Sequence, residues 1–341
     1  MCRMGFIKKK KEIGMLNTVL HDVCRKLVPK RCGNCLWEID EDGVLTISPV
    51  RGTDGRLFKE ILASWPWWKE SGSIKKVVIV KGVTASEYMG GLFSNFSNCE
   101  IFDIENLDTG RTRDMSFLFA GCSKLTDVSF AGKWNVICVE NVFSMFCDCI
   151  SLVDINALGK WRYGKILRAD RMFMRCSSLK NADALRNWNV CDLRKADSMF
   201  DGSAVGANPL NDIVPMACPR EGSFVAWKVC CGERLVKLRV PEDAKRSSAF
   251  GKKCRCDKAE VLEIRDADGN NLKYANSYFD WAFGYTAGET VKTPSFDSDR
   301  FMEDGAGITF FIDVNDALNH YGAASRFRSA SSGTSGHQTG H

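Results

Sequence analysis

The chain has 341 residues, 45% of them hydrophobic, and a formal net charge of +5, enough material for two or three structural units with cores of their own. Its basic residues are spread out rather than gathered with aromatics on one element, which speaks against nucleic-acid binding, and no apolar run approaches the ~18 residues of a membrane-crossing helix. Sixteen cysteines in a chain of this size do not define a disulfide scaffold, which is a small-domain solution, and they leave the compartment open.

Residues 1–31 contain four consecutive lysines, Lys8 to Lys11, followed by Ile13, Met15, Leu16, Val19, Leu20, Val23 and Leu27 at helical spacing. Glu12, Asn17, His21 and Asp22 interrupt the apolar stretch. The segment therefore predicts a basic, weakly ordered leader or an amphipathic helix, and not a secretory signal, which needs an unbroken apolar run and a small-residue cleavage site.

Residues 32–83 predict a β-rich cap. Trp37-Glu38-Ile39 alternates, Glu41-Asp42-Gly43 supplies a turn, and Leu45-Thr46-Ile47 alternates back. Trp65-Pro66-Trp67-Trp68 and a strand over residues 74–80 follow. The tryptophans are read as cap core in preference to a sugar platform. Cys32-Gly33-Asn34-Cys35 has C-x-x-C spacing, but without a βαβ context or a second pair it reads as a structural thiol pair or a single disulfide rather than a redox centre.

Residues 84–207 repeat themselves. Phe119, Phe146, Phe173 and Phe200 fall at a step of 27 residues, and Cys122, Cys149 and Cys176, Leu125, Leu152 and Leu179, and Trp134, Trp161 and Trp188 share that step. A looser copy begins at Leu92-Phe93, and the last decays into Pro209. A period of this size means stacked units, each burying its apolar face against its neighbours. Within one unit, residues 115–122 read as a short helix or turn and residues 124–130 as a short strand with one buried face.

Stacking such strands into a parallel sheet turns columns into ladders. Phe119, Cys122, Leu125, Phe146, Cys149, Leu152, Phe173, Cys176 and Leu179 form the predicted repeat core, with Val128, Ile155 and Ala182 beside it. Asp127, Ser129, Asp154, Asn156, Asn181 and Asp183 form a predicted exposed polar column, the candidate ligand-binding residues. The cysteine ladder is read as small, polarisable core side chains, and the tryptophan ladder as packing, which solvent-exposed indoles would overturn.

These residues resemble the repeat of BspA-like bacterial surface proteins, which runs roughly D-T-S-x-V-x-x-M-x-x-M-F-x-x-C-x-x-L. The carriers are Asp108-Thr109, Asp114-Met115-Ser116, Phe119, Gly121-Cys122-Ser123 and Leu125, with Cys176-Ser177-Ser178-Leu179 and Trp188-Asn189-Val190 in later copies. The cap's order, W-x-I-D-x-D-G-x-L-T-I, then P-W, then I-K-K-V-V, is similar to the segment that precedes the repeats in that family. The likeness covers roughly residues 32–206 and is broken at Trp161-Arg162-Tyr163-Gly164, where the family is threonine- and serine-rich. It implies a divergent leucine-rich repeat, an extended solenoid used for binding, and an exported protein.

Residues 208–222 hold Pro209, Pro215 and Pro219 and predict a linker. Residues 223–315 predict a β-rich domain with strands over 224–227, 235–240, 261–264 and 308–312, which together suggest a small β-sandwich. Asp266-Ala267-Asp268-Gly269-Asn270 reads as a turn and not a calcium loop, since the glycine is misplaced and the closing glutamate absent. Cys230-Cys231 with Cys254 and Cys256 raises a zinc set, against which the adjacent cysteines argue. Residues 316–341, ending in the low-complexity run from Ser329 to Gly336, predict a disordered tail.

The four histidines, His21, His320, His337 and His341, lie outside the repeats, and there is no P-loop, no G-x-G-x-x-G after a strand and no H-E-x-x-H. The expectation is a non-enzyme without cofactor or metal. Its expected fold is a repeat solenoid of BspA-like leucine-rich-repeat type, with parallel strands and short helices or turns, a β-rich N-terminal cap and a small C-terminal β-sandwich-like domain. Its expected role is adhesin-like binding, through the solenoid face, of a protein or glycan on a host or neighbouring cell surface, with neither nucleic acid nor a transmembrane segment. A carbohydrate-binding surface protein using exposed aromatics, and a non-exported scaffold or decayed paralogue, are the alternatives. The corresponding locations are the cell surface or secreted state and the cytoplasm.

Overall fold

The computed structural model describes residues 30–58 and 64–327; the expected leader, apart from Lys30 and Arg31, and the end of the expected tail lie outside the described residues. The chain divides into two compact units, one of residues 1–165, 173–189 and 202–206, the other of residues 166–172, 190–201 and 207–341.

The first unit starts with a five-stranded sheet in chain order: β1 (Lys30–Cys32), β2 (Cys35–Ile39), β3 (Val44–Pro49), β4 (Lys76–Ile79) and β5 (Ile101–Asp103). β1, β2 and β3 are antiparallel neighbours, whereas β4 and β5 join in parallel. The β2–β3 turn depends on Gly43, whose φ of +80° is open to glycine and whose Cβ would lie 2.7 Å from the Ser73 carbonyl. Leu45, Ile47, Val77 and Ile79 alternate into the core. Trp67 stacks on Trp65 and meets Trp37 edge-on, all three buried. The Trp65 and Trp67 indoles donate to the carbonyls of Gly90 and Leu92 at 2.9 Å.

Beyond β5 the expected solenoid of parallel strands and short helices is corrected. Among the described residues, regular structure is overwhelmingly β, in the five-stranded sheet and in several antiparallel sheets of the second unit, and the two α-helices are short and lie outside the repeats. Residues 115–122 form turns rather than a helix. Phe117 and Gly121 stand in the left-handed region at φ 55° and 78°, and their N–H groups go to the next repeat: residues 115, 117, 119 and 121 donate to the carbonyls of 141, 143, 145 and 147 at 2.8–2.9 Å. The helical i−4 acceptors are never used.

The expected strand at residues 124–130 is equally absent. A 3₁₀ turn begins at Ser129, leaving room only for the isolated parallel bridge Asp127–Asp154. Three 3₁₀ segments recur at the 27-residue step, Ser129–Lys133, Asn156–Lys160 and Asp183–Asn187. Each is closed by the N–H of the following tryptophan.

The second unit contains a four-stranded antiparallel sheet in the order β13-β10-β7-β6: β13 (Thr290–Lys292), β10 (Lys258–Arg265), β7 (Arg234–Val240) and β6 (Phe224–Cys230). A three-stranded sheet joins β14 (Ile308–Phe310), β9 (Cys254–Cys256) and β8 (Arg246–Ser248), and a hairpin pairs β11 (Tyr274–Asn276) with β12 (Gly284–Thr286). Three separate sheets, most of their strands three residues long, replace the expected two-layer sandwich. Asp266 accepts the Asn270 N–H at 2.8 Å, closing the turn before β11.

In the stretch read as a linker, a short helix α1 (Leu210–Ile213) forms, and Leu210, Val214 and Cys218 are buried. Arg300 binds the carbonyls of Asn211, Val214 and Pro215. A second helix, α2 (Val314–His320), is capped by the Asp313 carboxylate and occupies the start of the stretch read as tail.

One residue on the buried face of β6 breaks the hydrophobic pattern. Lys228 is buried among Ala226, Cys230 and Val236, and its Nζ donates only to neutral groups, the Thr309 hydroxyl at 2.5 Å and carbonyl at 3.3 Å. Burial holds its pKa below the ordinary lysine value because the charged form loses its hydration. The unfolded chain therefore binds more protons than the folded one between the two pKa values, and stability rises with pH across that window. Lys228→Met should stabilise the protein at neutral pH and abolish that rise. Parallel denaturant titrations of parent and variant between neutral pH and the unfolded lysine range would measure both, and an unchanged difference across the range would contradict it.

Candidate functional site

The predicted polar column is exposed in full: Asp127, Ser129, Asp154, Asn156, Asn181 and Asp183 all face solvent, with Val128, Ile155 and Ala182 buried between them. Its residues also carry a structural duty. Asp127 accepts the Ser129 N–H at 2.9 Å, Asp154 that of Asn156 at 2.7 Å, and Asn181 that of Asp183 at 2.7 Å. Each is an Asx turn that sets the chain into its 3₁₀ segment. The Ser129 side chain, then its N–H, hold the Asp127 carboxyl below the usual carboxylate range.

Beside this column two apolar side chains stand in solvent. Ile150 is 48% and Val153 55% exposed. Val153 is fixed by its N–H, which donates to the Thr126 carbonyl of the preceding repeat at 2.9 Å. The positions 27 residues either side are polar or small: Ser123 and Thr126 before, Ser177 and Lys180 after. The arrangement is an apolar centre with a polar surround on one row of three repeats, the distribution found in protein-binding surfaces. The sequence frame showed Ile150 at a column held elsewhere by serine, a signal hidden because isolated surface apolar residues are ordinary.

The predicted core positions Phe119, Cys122, Leu125, Phe146, Cys149, Leu152, Phe173, Cys176 and Leu179 are all buried. The Phe119 and Phe146 rings are parallel within 1° at 5.5 Å, and Phe146 and Phe173 within 6° at 5.6 Å. The cysteines do more than fill space, since Cys122, Cys149 and Cys176 donate their thiol protons to the carbonyls of Phe93, Phe119 and Phe146 at 3.1 Å. Burial pushes the Cys176 thiol up to about 12 and the other two upward as well, the opposite of an activated nucleophile.

The indoles of Trp134, Trp161 and Trp188 are buried and donate to the carbonyls of Ile104, Ala131 and Leu158, so they bind the repeats together. Cys32 and Cys35 are buried thiols, pushed up by burial to about 11 and about 12. The cysteines weighed as zinc ligands go separate ways: Cys231 donates to the Ser277 carbonyl and Cys256 faces that of Ile308. Among the described residues no three His, Cys, Asp or Glu side chains are placed to hold a metal ion, and no helix is long and apolar enough to cross a membrane.

Comparison with known families divides the chain. Residues 87–212 match the family described as "Mycoplasma protein of unknown function, DUF285", and residues 214–317 match the "Family of unknown function (DUF5758)". The first match takes in the repeats, and the second covers β6 to β14. No curated protein and no solved structure matches the chain.

The two duties of the polar column separate by mutation. Asp154→Ala removes the Asx acceptor and should cost about 1 kcal/mol, the usual scale of a lost side-chain cap. Asp154→Asn, the residue type already used at position 181, should cost little. Chemical denaturation distinguishes them, and equal losses from both would contradict the turn-capping role.

Proposed function

We propose that this is a non-catalytic binding protein of the cell surface that holds a protein partner along the exposed row of its repeats. The observation that carries this reading is the pair Ile150 and Val153, both about half exposed beside the Asp127, Asp154 and Asn181 column. The backbone around them is fixed by bonds to the neighbouring repeats, so little ordering is needed when a partner arrives. Two further observations support the reading. The repeats resemble those of BspA-like surface proteins, and the same residues match a mycoplasma family.

The test places a photo-crosslinking amino acid at position 153, and at position 41 in the cap as a control, in the full chain on intact cells of the source. A discrete adduct from position 153 that is absent from position 41, is formed without cell lysis and is lost with Ile150→Asp is the expected result. Adducts shared by both positions, or found only after lysis, would overturn the proposal.

A further inference from the structure

The most exposed large apolar side chains of the described residues lie on the β11–β12 hairpin of the second unit, in the run Tyr274-Ala275-Asn276-Ser277-Tyr278-Phe279-Asp280-Trp281. Phe279 is 80% and Trp281 74% exposed. Isolated surface aromatics are ordinary, but this pair sits on a loop whose backbone is fixed. Ser277 N–H donates to the Phe283 carbonyl at 2.9 Å and Phe283 N–H to that of Asp280 at 3.0 Å. The Asp280 carboxylate accepts the Ala282 N–H at 3.0 Å. From outside the loop, the Cys231 N–H and thiol hold the carbonyls of Asn276 and Ser277, and Arg234 holds that of Tyr274 at 2.8 Å. The backbone that carries the rings is therefore held before a ligand arrives, which lowers the ordering cost of binding.

A third ring is built into the outer face of the hairpin. Ala275 points into the core, so its neighbours Tyr274 and Asn276 point outward. Tyr274, 44% exposed, lies across Gly284 on the partner strand, where a Cβ would fall 2.2 Å from the tyrosine hydroxyl. Only glycine leaves room for the phenol to lie there. The Asn276 amide ties the two ends of this face together, donating to the Tyr274 hydroxyl at 3.1 Å and to the Trp281 carbonyl at 2.9 Å.

From this arrangement we infer that the β11–β12 hairpin is a carbohydrate-binding site. Aromatic faces stack on the C–H faces of sugar rings, and here the rings alternate with acceptors for sugar hydroxyls: the second Asp280 carboxylate oxygen between Phe279 and Trp281, and the Asn276 amide oxygen between Tyr274 and the tip. Among the described residues neither Phe279 nor Trp281 stacks on another ring, and their exposure leaves ring surface accessible to a ligand. A bilayer is the poorer occupant, because the exposed Asp280 would have to enter the apolar layer with the two rings that flank it. A protein hot spot fits less well, since it gathers its aromatics into one desolvated cluster where this hairpin interleaves them with a charge and an amide.

The test uses the full chain on a microarray of bacterial and mammalian glycans, with titration of retained oligosaccharides followed by isothermal calorimetry, which reads parent and variants alike. Retention of a defined set of glycans is expected, with affinity falling about tenfold or more in Trp281→Ala and measurably in Asp280→Asn, which keeps the acceptor for Ala282. Both substitutions are on the exposed loop, and unchanged thermal melts would show that the fold is intact. Vesicles of phosphatidylcholine and phosphatidylserine form the second arm. An empty array, glycan binding indifferent to Trp281→Ala, or vesicle binding lost with Trp281→Ala would each overturn the assignment. Ile150→Asp in the repeats should leave the glycan titration unchanged, so this site and the proposed protein-binding row stand or fall separately.

Discussion

The repeats lean on one another first through a column of phenylalanines, each stacked on its counterpart a repeat away. Phe93, Phe119, Phe146 and Phe173 form this column at 5.5–5.6 Å, each ring fully buried and worth about 1.5–3 kcal/mol in burial. The ring at each level is covered only because another level exists. A cysteine thiol and a tryptophan indole also reach back to carbonyls of the preceding repeat, giving those buried backbone oxygens a donor. Ion pairs cross the same boundaries on the surface, among them Lys124–Glu100, Lys133–Glu105 and Arg175–Asp148. Such exposed pairs add little energy, about 0–1 kcal/mol each, but they favour the in-register stack.

The spacing of the landmarks was readable from the residues because burial constrains them directly. A stacked column tolerates only a ring at 119, 146 and 173, and only a small donor at 122, 149 and 176. The backbone path between them was not readable. Phe117 and Ser144 adopt left-handed conformations at φ 55° and 51°, which cost about 1–2 kcal/mol for non-glycine residues, so nothing in their identity announces a turn. The apolar run Met115 to Phe119 accordingly has a helical spacing that the structure does not use. The polar column shows the same limit differently. Asp127 and Asp154 are exposed where alternation placed them, but their type is explained first by the turn they cap, and the apolar pair beside them carries no sequence signal because single surface apolar residues are ordinary.

In the second unit the three long strands β6, β7 and β10 could be recognised from their apolar runs. β14 was recognisable too, from the apolar run Ile308 to Ile312, whereas β8, β9 and β11 to β13 are three residues each, too short for a period to register. Their positions are set by side chains that bind carbonyls instead of by strand propensity. Arg255, buried, donates to the carbonyls of Ala306 and Asp299, and Arg300 does the same for the segment around α1. Arg255 and Lys228 are buried cations that donate to backbone oxygens in this unit, and nothing in the residue type distinguishes them from surface lysines and arginines. Both proposed binding surfaces are rigid: a row fixed by neighbouring repeats in one unit, and a hairpin with pinned carbonyls in the other.

The 27-residue step is the physical unit of the repeats: the phenylalanine column from Phe119 to Phe173, the thiol and indole donors and the Asx turns at Asp127, Asp154 and Asn181 all recur at it. Removing residues 119–145, one full step, should leave every column in register, and the shortened first unit should keep a cooperative unfolding transition by circular dichroism beside that of the second unit. Removing residues 119–139 instead should displace every later column and abolish the first unit's transition while the second unit's remains. Equal cooperativity in the two deletions would contradict the account.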